Sequence, residues 1–363
     1  MELPADVVEE ILLRLPPADP ASLVRAALVC KPWCRIVCAR SFRRRFMEFH
    51  RTAPLLGFLC NPLFAWFVPT SSFRPTPTGC EEDVRDCVVL DARHGLVVLH
   101  FVLGDDEVDA LVIWDPTTGE RWEIPVLDDC ERDEWYATVL REPTADGTAF
   151  VVVRFVTKYY SYSQVQRWSL RVYSSAAACW SEPTLVPNRV LGFDLATTET
   201  SVVHLPRASN CAIALMEMEG GGLGFARVDM AARLLLWSME VNPNGGVGWT
   251  RTRVIELEKL LPVGAGSISY GFLGFAHGVD VFFVGMNDGV LFSFDLKSGR
   301  VRKVYKGECD EDGLLGRVPC VVPYTSFCTP GQIWKGIERN EGNHSVFSGM
   351  LSHNKKKKTL TGG

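Results

Sequence analysis

The sequence predicts an α+β chain in two unlike parts: a small N-terminal helical unit at residues 1–51 and an all-β, propeller-like domain at 52–330. A disordered tail at 331–363 follows. Three observations predict this division. Residues 3–51 hold short apolar stripes at helical spacing. After His50 the helical period stops, and short β-branched or aromatic runs alternate with Gly, Pro, Asn and Asp. Within those runs a strand-turn-strand element recurs at 111–125, 190–206 and 290–306.

Val8, Ile11, Leu12 and Leu15 follow the i, i+3, i+4, i+7 spacing of a first helix, entered through Leu3-Pro4 and closed by Pro16-Pro17. Asp19 stands as the N-cap of a second helix, with Pro20 at its first position and Leu23, Ala26, Ala27 and Cys30 on its apolar side. Pro32 interrupts the chain. Trp33, Ile36 and Val37 share one face of the next turn, and Ser41 is placed to cap a last helix carrying Phe42, Phe46 and Phe49. A unit of about 50 residues is near the lower limit for an independent core, so this much apolar surface predicts a docking partner.

In the β part, good strand candidates run over 95–102, 110–114, 149–156, 169–173, 233–237, 279–284 and 290–294. In the three full copies of the repeat an aromatic precedes Asp115, Asp194 or Asp295. Three residues after each Asp stands Thr118, Thr197 or Ser298, whose hydroxyl can bond local backbone amides in the turn. Weaker copies centre on Tyr173-Ser174 and Trp237-Ser238. Such hairpins suit the outer strands of propeller blades. A blade takes roughly 40 to 50 residues, which gives this region about six. The interval from Tyr173 to Phe193 is too short to contain one. Either those two residues share an irregular blade, or strands are missing between them.

Composition limits the function. No run of about 18 apolar residues exists, and the chain starts with Glu2 and Asp6 instead of a basic, apolar leader, so neither membrane insertion nor secretion is expected. An intracellular location, cytoplasmic or nuclear, follows. Twelve cysteines should then be reduced thiols. Cys30, Cys34 and Cys38 fall at i, i+4, i+8 but lack a second Cys or His pair at zinc spacing. The net charge is −5, yet residues 1–51 carry nine Lys/Arg against six Asp/Glu and residues 331–363 carry six against two, so the β part is strongly acidic. Its acidic clusters, at 105–107, 128–134 and 308–312, argue against a nucleic-acid face and fit solvated loops.

No catalytic, metal or cofactor constellation stands out. Glu219-Gly220-Gly221-Gly222-Leu223-Gly224 lacks the Lys-Ser/Thr of a phosphate loop and fits a hairpin turn. His94 and His100 fit strand or turn positions, and the ten tryptophans fit core packing. The tail's Lys355 to Lys358 reads as a solvated run, and Asn343-His344-Ser345, a glycosylation acceptor pattern, has no secretion route to use it.

Leu3-Pro4, Ile11-Leu12-Leu13-Arg14-Leu15-Pro16, Leu28-Val29-Cys30-Lys31-Pro32-Trp33 and Ser41-Phe42-Arg43 stand in the order of an F-box, which residues 3–51 resemble throughout. The resemblance implies docking on the Skp-type adaptor of a cullin-based ubiquitin ligase through Leu3, Pro4, Val8, Ile11, Leu12, Leu15, Pro16, Leu28, Val29 and Trp33. The rest is similar to the kelch-like, F-box-associated β domain of plant F-box proteins. That similarity is carried by His94-Gly95-Leu96, Trp114-Asp115-Pro116-Thr117-Thr118-Gly119, Phe193-Asp194-Leu195, Leu236-Trp237, Phe294-Asp295-Leu296 and Pro323-Tyr324-Thr325-Ser326-Phe327. In such relatives a strand pair usually precedes the Phe-Asp-Leu element; here Trp180 is followed almost directly by Val190. Together the two resemblances imply a non-catalytic substrate receptor of a ubiquitin ligase. It would bind the adaptor, the cullin complex through that adaptor, and an unknown protein target, with no cofactor, nucleic acid or membrane. An interaction protein of the same build, with no role in degradation, is the alternative.

Overall fold

The computed structural model describes residues 3–61, 66–75, 87–101, 110–125, 127, 134–142, 149–159, 166–186, 190–193, 200–203, 213–218, 221–241, 247–262, 264–306 and 320–333. Outside these lie the Asp194 turn, most of the three acidic clusters, Glu219-Gly220, the Asn343 pattern and the lysine run of the tail.

Four helices come first: α1 Ala5–Leu13, α2 Pro20–Val29, α3 Lys31–Cys38 and α4 Arg40–His50. Asp19 does take the N-cap position of α2, but its carboxylate makes no capping bond to a backbone amide. It accepts instead from the Ser22 hydroxyl at 2.6 Å and the Ser72 hydroxyl at 2.5 Å. Pro32 does not break the chain. It sits in the first turn of α3, where a missing N–H costs nothing, and extended Cys30 makes the corner instead. Ser41 lies inside α4, whose cap position is Ala39, so it is not the expected cap. Val8, Leu12, Leu13, Leu23, Ala26, Ala27, Val37, Phe42 and Phe46 form one small core among the helices.

The β part is a five-bladed propeller. Strands β1 (Leu55–Asn61) and β2 (Trp66–Pro69) begin the first blade. β3 (Cys87–Arg93), β4 (Leu96–Phe101), β5 (Ala110–Trp114) and β6 (Arg121–Ile124) form the second in that order. The third holds β7 (Glu134–Arg141), β8 (Phe150–Tyr159), β9 (Gln166–Ser174), β10 (Cys179–Trp180) and β11 (Thr184–Val186), the last two both paired to β9. A two-stranded sheet of β12 (Val190–Phe193) and β13 (Thr200–Val203) follows in sequence. The fourth blade is β14 (Ile213–Glu217), β15 (Leu223–Val228), β16 (Arg233–Val241) and β17 (Val247–Glu256). The fifth is β18 (Ile268–Ala276), β19 (Val281–Met286), β20 (Val290–Asp295) and β21 (Val301–Lys306). The last strand, β22 (Cys320–Thr325), returns to pair with β1, so the first blade is built from both ends of the domain.

All seven sequence-derived strand candidates fall on strands, and the aromatic markers show why the repeat exists. Trp114, Tyr173, Trp237 and Phe294 each lie on the third strand of a blade. Tyr173 and Phe193 lie in different sheets, and among the described residues β12–β13 has no inner strand pair, which explains the short interval. The rough count of six therefore becomes five blades and one two-stranded sheet. The turn chemistry is as expected: Asp115 Oδ1 accepts the Thr117 amide at 2.9 Å, and Asp295 Oδ1 accepts those of Lys297 and Ser298 at 2.9 and 2.8 Å. Thr118 and Ser298 hydroxyls accept the Glu120 and Arg300 amides, both at 3.3 Å.

Inner strands β14, β18, β22, β3 and β7 stand side by side. Alternate inward residues interlock: Leu56, Val89, Val97, Val112 and Tyr324 join the first and second blades, Val139, Val152 and Ile113 the second and third, and Phe275, Phe282 and Leu236 the fourth and fifth. Because strands alternate in direction, turns between a blade's first and second strands, and between its third and fourth, lie at one end of the ring. β1 starts and β22 finishes at that same near end. The helices therefore join the near end, and connections between blades leave from the far end.

Candidate interaction face

The helical unit divides the ten residues of the F-box resemblance into two sets. Leu3, Ile11, Leu28 and Val29 are 58, 48, 72 and 63% exposed, and Pro4 and Pro16 are exposed too. Leu15 and Trp33 are half-buried against the helix core. Val8 and Leu12 are only 4 and 2% exposed. Expected at the docking face, they instead hold the four helices together, because the inward stripe of α1 runs through Val8, Leu12 and Leu13. The outward stripe is Leu3, Val7 and Ile11 at i, i+4, i+8. Val7 was missed in the sequence although this spacing was there to be read; Met47 and Phe49 on α4 are further exposed apolar residues. Large unpaired apolar side chains on a unit this small are what a partner surface needs.

Arg45 on α4 clamps α1 through Glu9 at 2.7 Å and Glu10 at 2.6 Å, and His50 Nε2 lies 2.9 Å from the Leu13 carbonyl oxygen. These bonds fix the angle between the first and last helices. Cys34 and Cys38 neighbour each other on α3, and burial, then the neighbouring Cys34, pushes the Cys38 thiol up to about 12. All three cysteines of this helix region are free thiols.

Beneath the helices lies a polar junction. Asp115, at the near-end turn between β5 and β6, is buried and pairs with Arg141 of β7 at 3.1 Å. The Thr117 hydroxyl donates to Asp115 Oδ1 at 2.6 Å and accepts from Gln332 Nε2 at 3.3 Å. Arg141 also donates through Nε to the His94 carbonyl at 2.9 Å, at a two-residue hairpin where His94 and Gly95 both have positive φ. Arg43 reaches down from α4; burial, with the charge of Arg141, lowers its guanidinium pKa, while Asp115 opposes the shift. Its Nε is buried with no hydrogen-bond partner among the described residues. Tyr324 is fully buried, donates to the Gly95 carbonyl at 3.3 Å, and has its phenol pushed well above its ordinary pKa by burial. With one carboxylate against two guanidiniums, this cluster holds the turn of the second blade, the third blade and residue Gln332 together.

At the other end, a cavity of about 550 Å³ lies between the chain after β17 and the outer strands of the fifth blade. Leu260, Pro262, Met286 and Phe292 line it, with Asp288 and Lys303 as its charged members. Among the described residues no group of three or more His, Cys, Asp or Glu could hold a metal ion, and no helix is long and apolar enough to cross a membrane.

Residues 1–45 match the F-box domain family. No curated protein matches the chain. Among solved structures the chain is similar to an oligogalacturonate lyase from Vibrio parahaemolyticus (13% identity, 60% of this chain and 65% of that one, TM-score 0.33). It is also similar to an oligogalacturonate lyase in complex with manganese (14% identity, 59% and 63%, TM-score 0.31). A third is a complex of the fission yeast SREBP-SCAP binding domains (10% identity, 60% and 49%, TM-score 0.21). The chain thus spans less than two thirds of the length of each.

Proposed function

We propose that this chain is the substrate-recognition subunit of a Skp-cullin-F-box ubiquitin ligase, with residues 1–51 as the adaptor-binding domain and 52–330 as a kelch-like target-binding domain of the plant F-box-associated kind. Of the tail expected at 331–363, only the part beyond residue 333 belongs to neither, since Gln332 is buried at the junction. One observation carries the reading: an F-box match over residues 1–45 coincides with four helices that leave Leu3, Ile11, Leu28 and Val29 exposed. Helix faces with aliphatic anchors are a recurrent docking mode. Leu3, Pro4, Ile11, Pro16, Leu28 and Val29 contact the adaptor directly, Leu15 and Trp33 along their open edges, while Val8 and Leu12 hold the scaffold.

The subunit catalyses nothing itself. It contributes proximity, holding a target lysine near the ubiquitin-loaded conjugating enzyme. The propeller carries the target, at the end away from the helices. The location is intracellular. The test is a pull-down of a purified Skp-type adaptor by the full chain and by Ile11→Asp and Leu28→Asp. Wild type binds and both variants lose binding while keeping wild-type circular dichroism. No binding by wild type, or equal binding by all three, sinks the proposal. Adaptor binding without loss of any protein on induction points to the alternative, an interaction protein outside degradation.

A further inference from the structure

We propose that residues 326–333, which follow the last propeller strand, act as a positioning strap that sets the angle between the helical unit and the propeller. This rests on the ligase reading, in which one end holds the adaptor and the other the target.

After β22 the chain does not leave the molecule. It passes between the helices and the near end of the ring, where Phe327, Cys328, Thr329, Pro330 and Gln332 are all buried. Each side of the strap grips a different body. Towards the helices, Phe327 joins their core and meets Phe46 edge-on at 6.1 Å between ring centres. Gly331 lies so close to α3 that a Cβ there would stand 2.6 Å from the Cys38 carbonyl oxygen. Only glycine permits that approach, since the opposing atom is backbone and cannot swing aside. Towards the propeller, Gln332 donates to Thr117 at 3.3 Å, and Thr117 in turn binds the Asp115–Arg141 pair of the second and third blades. Gln332 is itself held by Thr329, whose amide and hydroxyl donate to its Oε1 at 3.1 and 3.2 Å.

Among the described residues, a second polar link between the two bodies is of a different kind. The Ala21 amide donates to the Ser72 hydroxyl at 3.2 Å, and that hydroxyl to Asp19, on exposed surface where water competes. That link tethers, whereas a strap buried on both sides, with satisfied polar groups and a backbone contact that only glycine allows, selects one orientation. A ligase receptor needs that property, because transfer depends on where the target is held and not only on whether it is held.

The experiment measures orientation directly in the full chain. Spin labels are carried on unnatural amino acids at Arg44 of α4 and at Met230 of the fourth blade, both exposed. Wild type gives one narrow distance distribution. Gly331→Ala shifts and broadens it while adaptor affinity and the circular dichroism of both bodies stay at wild-type values. Should Gly331→Ala fail to fold, Thr329→Val reads the same effect with no change of shape, and Thr329→Ser, which keeps the hydroxyl, restores the narrow distribution. A broad wild-type distribution, or variants that match wild type, overturns the strap. If wild type binds no adaptor but the distances respond, the ligase reading falls and the strap stands.

Discussion

Leu12 and Leu28 are both leucines of the F-box segment, and truncating each should break a different property. Leu12 is 2% exposed inside the helix core, so Leu12→Ala removes about three buried carbons and leaves a cavity, costing about 3 to 5 kcal/mol of stability. A four-helix unit of this size has little more than that to lose. Leu28 is 72% exposed, so its truncation leaves folding within about 0.5 kcal/mol of wild type. Docking would bury that open fraction. Three carbons at about 0.8 kcal/mol each, scaled by the 72% still to be covered, come to about 1.7 kcal/mol, or roughly 18-fold in Kd. Titration calorimetry with a Skp-type adaptor reads the second quantity, and urea unfolding reads the first. A Leu28→Ala protein that binds as tightly as wild type, or a Leu12→Ala protein as stable as wild type, refutes the division of α1 and α2 into inward and outward faces.

Asp115→Ala removes the partner of Arg141 and the acceptor of the Thr117 amide and hydroxyl and should cost about 2 to 3 kcal/mol, whereas Asp295→Ala, at a more open copy of the same turn, should cost about 1 kcal/mol; urea unfolding compares them. Burial, joined at Cys38 by the neighbouring Cys34, raises the Cys38 and Cys328 thiols to about 12. At pH 8 each should alkylate more slowly than exposed Cys179 by peptide mass spectrometry, and comparable rates would contradict that protection. Partial burial, with Arg93 and Arg141 nearby, lowers the His94 pKa, and its Nδ1 accepts the Arg141 amide at 3.2 Å, so the folded chain favours the neutral ring. Its contribution is present above the unfolded value of about 6.5 and is lost as pH falls below it, so His94→Gln should flatten the fall in Tm between about pH 7 and 5.

The helices and blades were legible because their signals are local. Val8 to Leu15 carries its own period, and Trp114-Asp115, Trp237-Ser238 and Phe294-Asp295 mark third strands because each blade needs the same aromatic and turn at the same place. The face of α1 was misread at Val8 and Leu12 for a reason of the same kind. Apolar spacing shows that a stripe is buried, but whether against sister helices or a partner depends on α3 and α4, which pack there through tertiary contacts. The junction was not legible at all. Arg43, Asp115, Arg141 and Gln332 are scattered through the chain and meet only through the packing of neighbouring blades and the course of the chain after β22, and Gly331 carries no local pattern that separates it from any loop glycine.

Closure itself ties stability to orientation. Pairing β22 with β1 joins Thr325 to Leu55, and bringing together chain ends about 270 residues apart costs roughly 5 kcal/mol of loop entropy. Leu56, Phe58 and Tyr324, fully buried on these two strands, supply an offset of that order at about 1.5 to 3 kcal/mol each. The helical unit enters the ring at β1 and the strap leaves it at β22, so both run through this one seam. Opening the seam releases Phe327 from Phe46 and Gln332 from Thr117 in the same event. Orientation of the helices is thus lost together with ring closure, and a substitution near the end of the seam, such as Tyr324→Ala, should broaden the Arg44 to Met230 distance through both the seam and the strap residues Ser326 and Cys328 that Tyr324 adjoins.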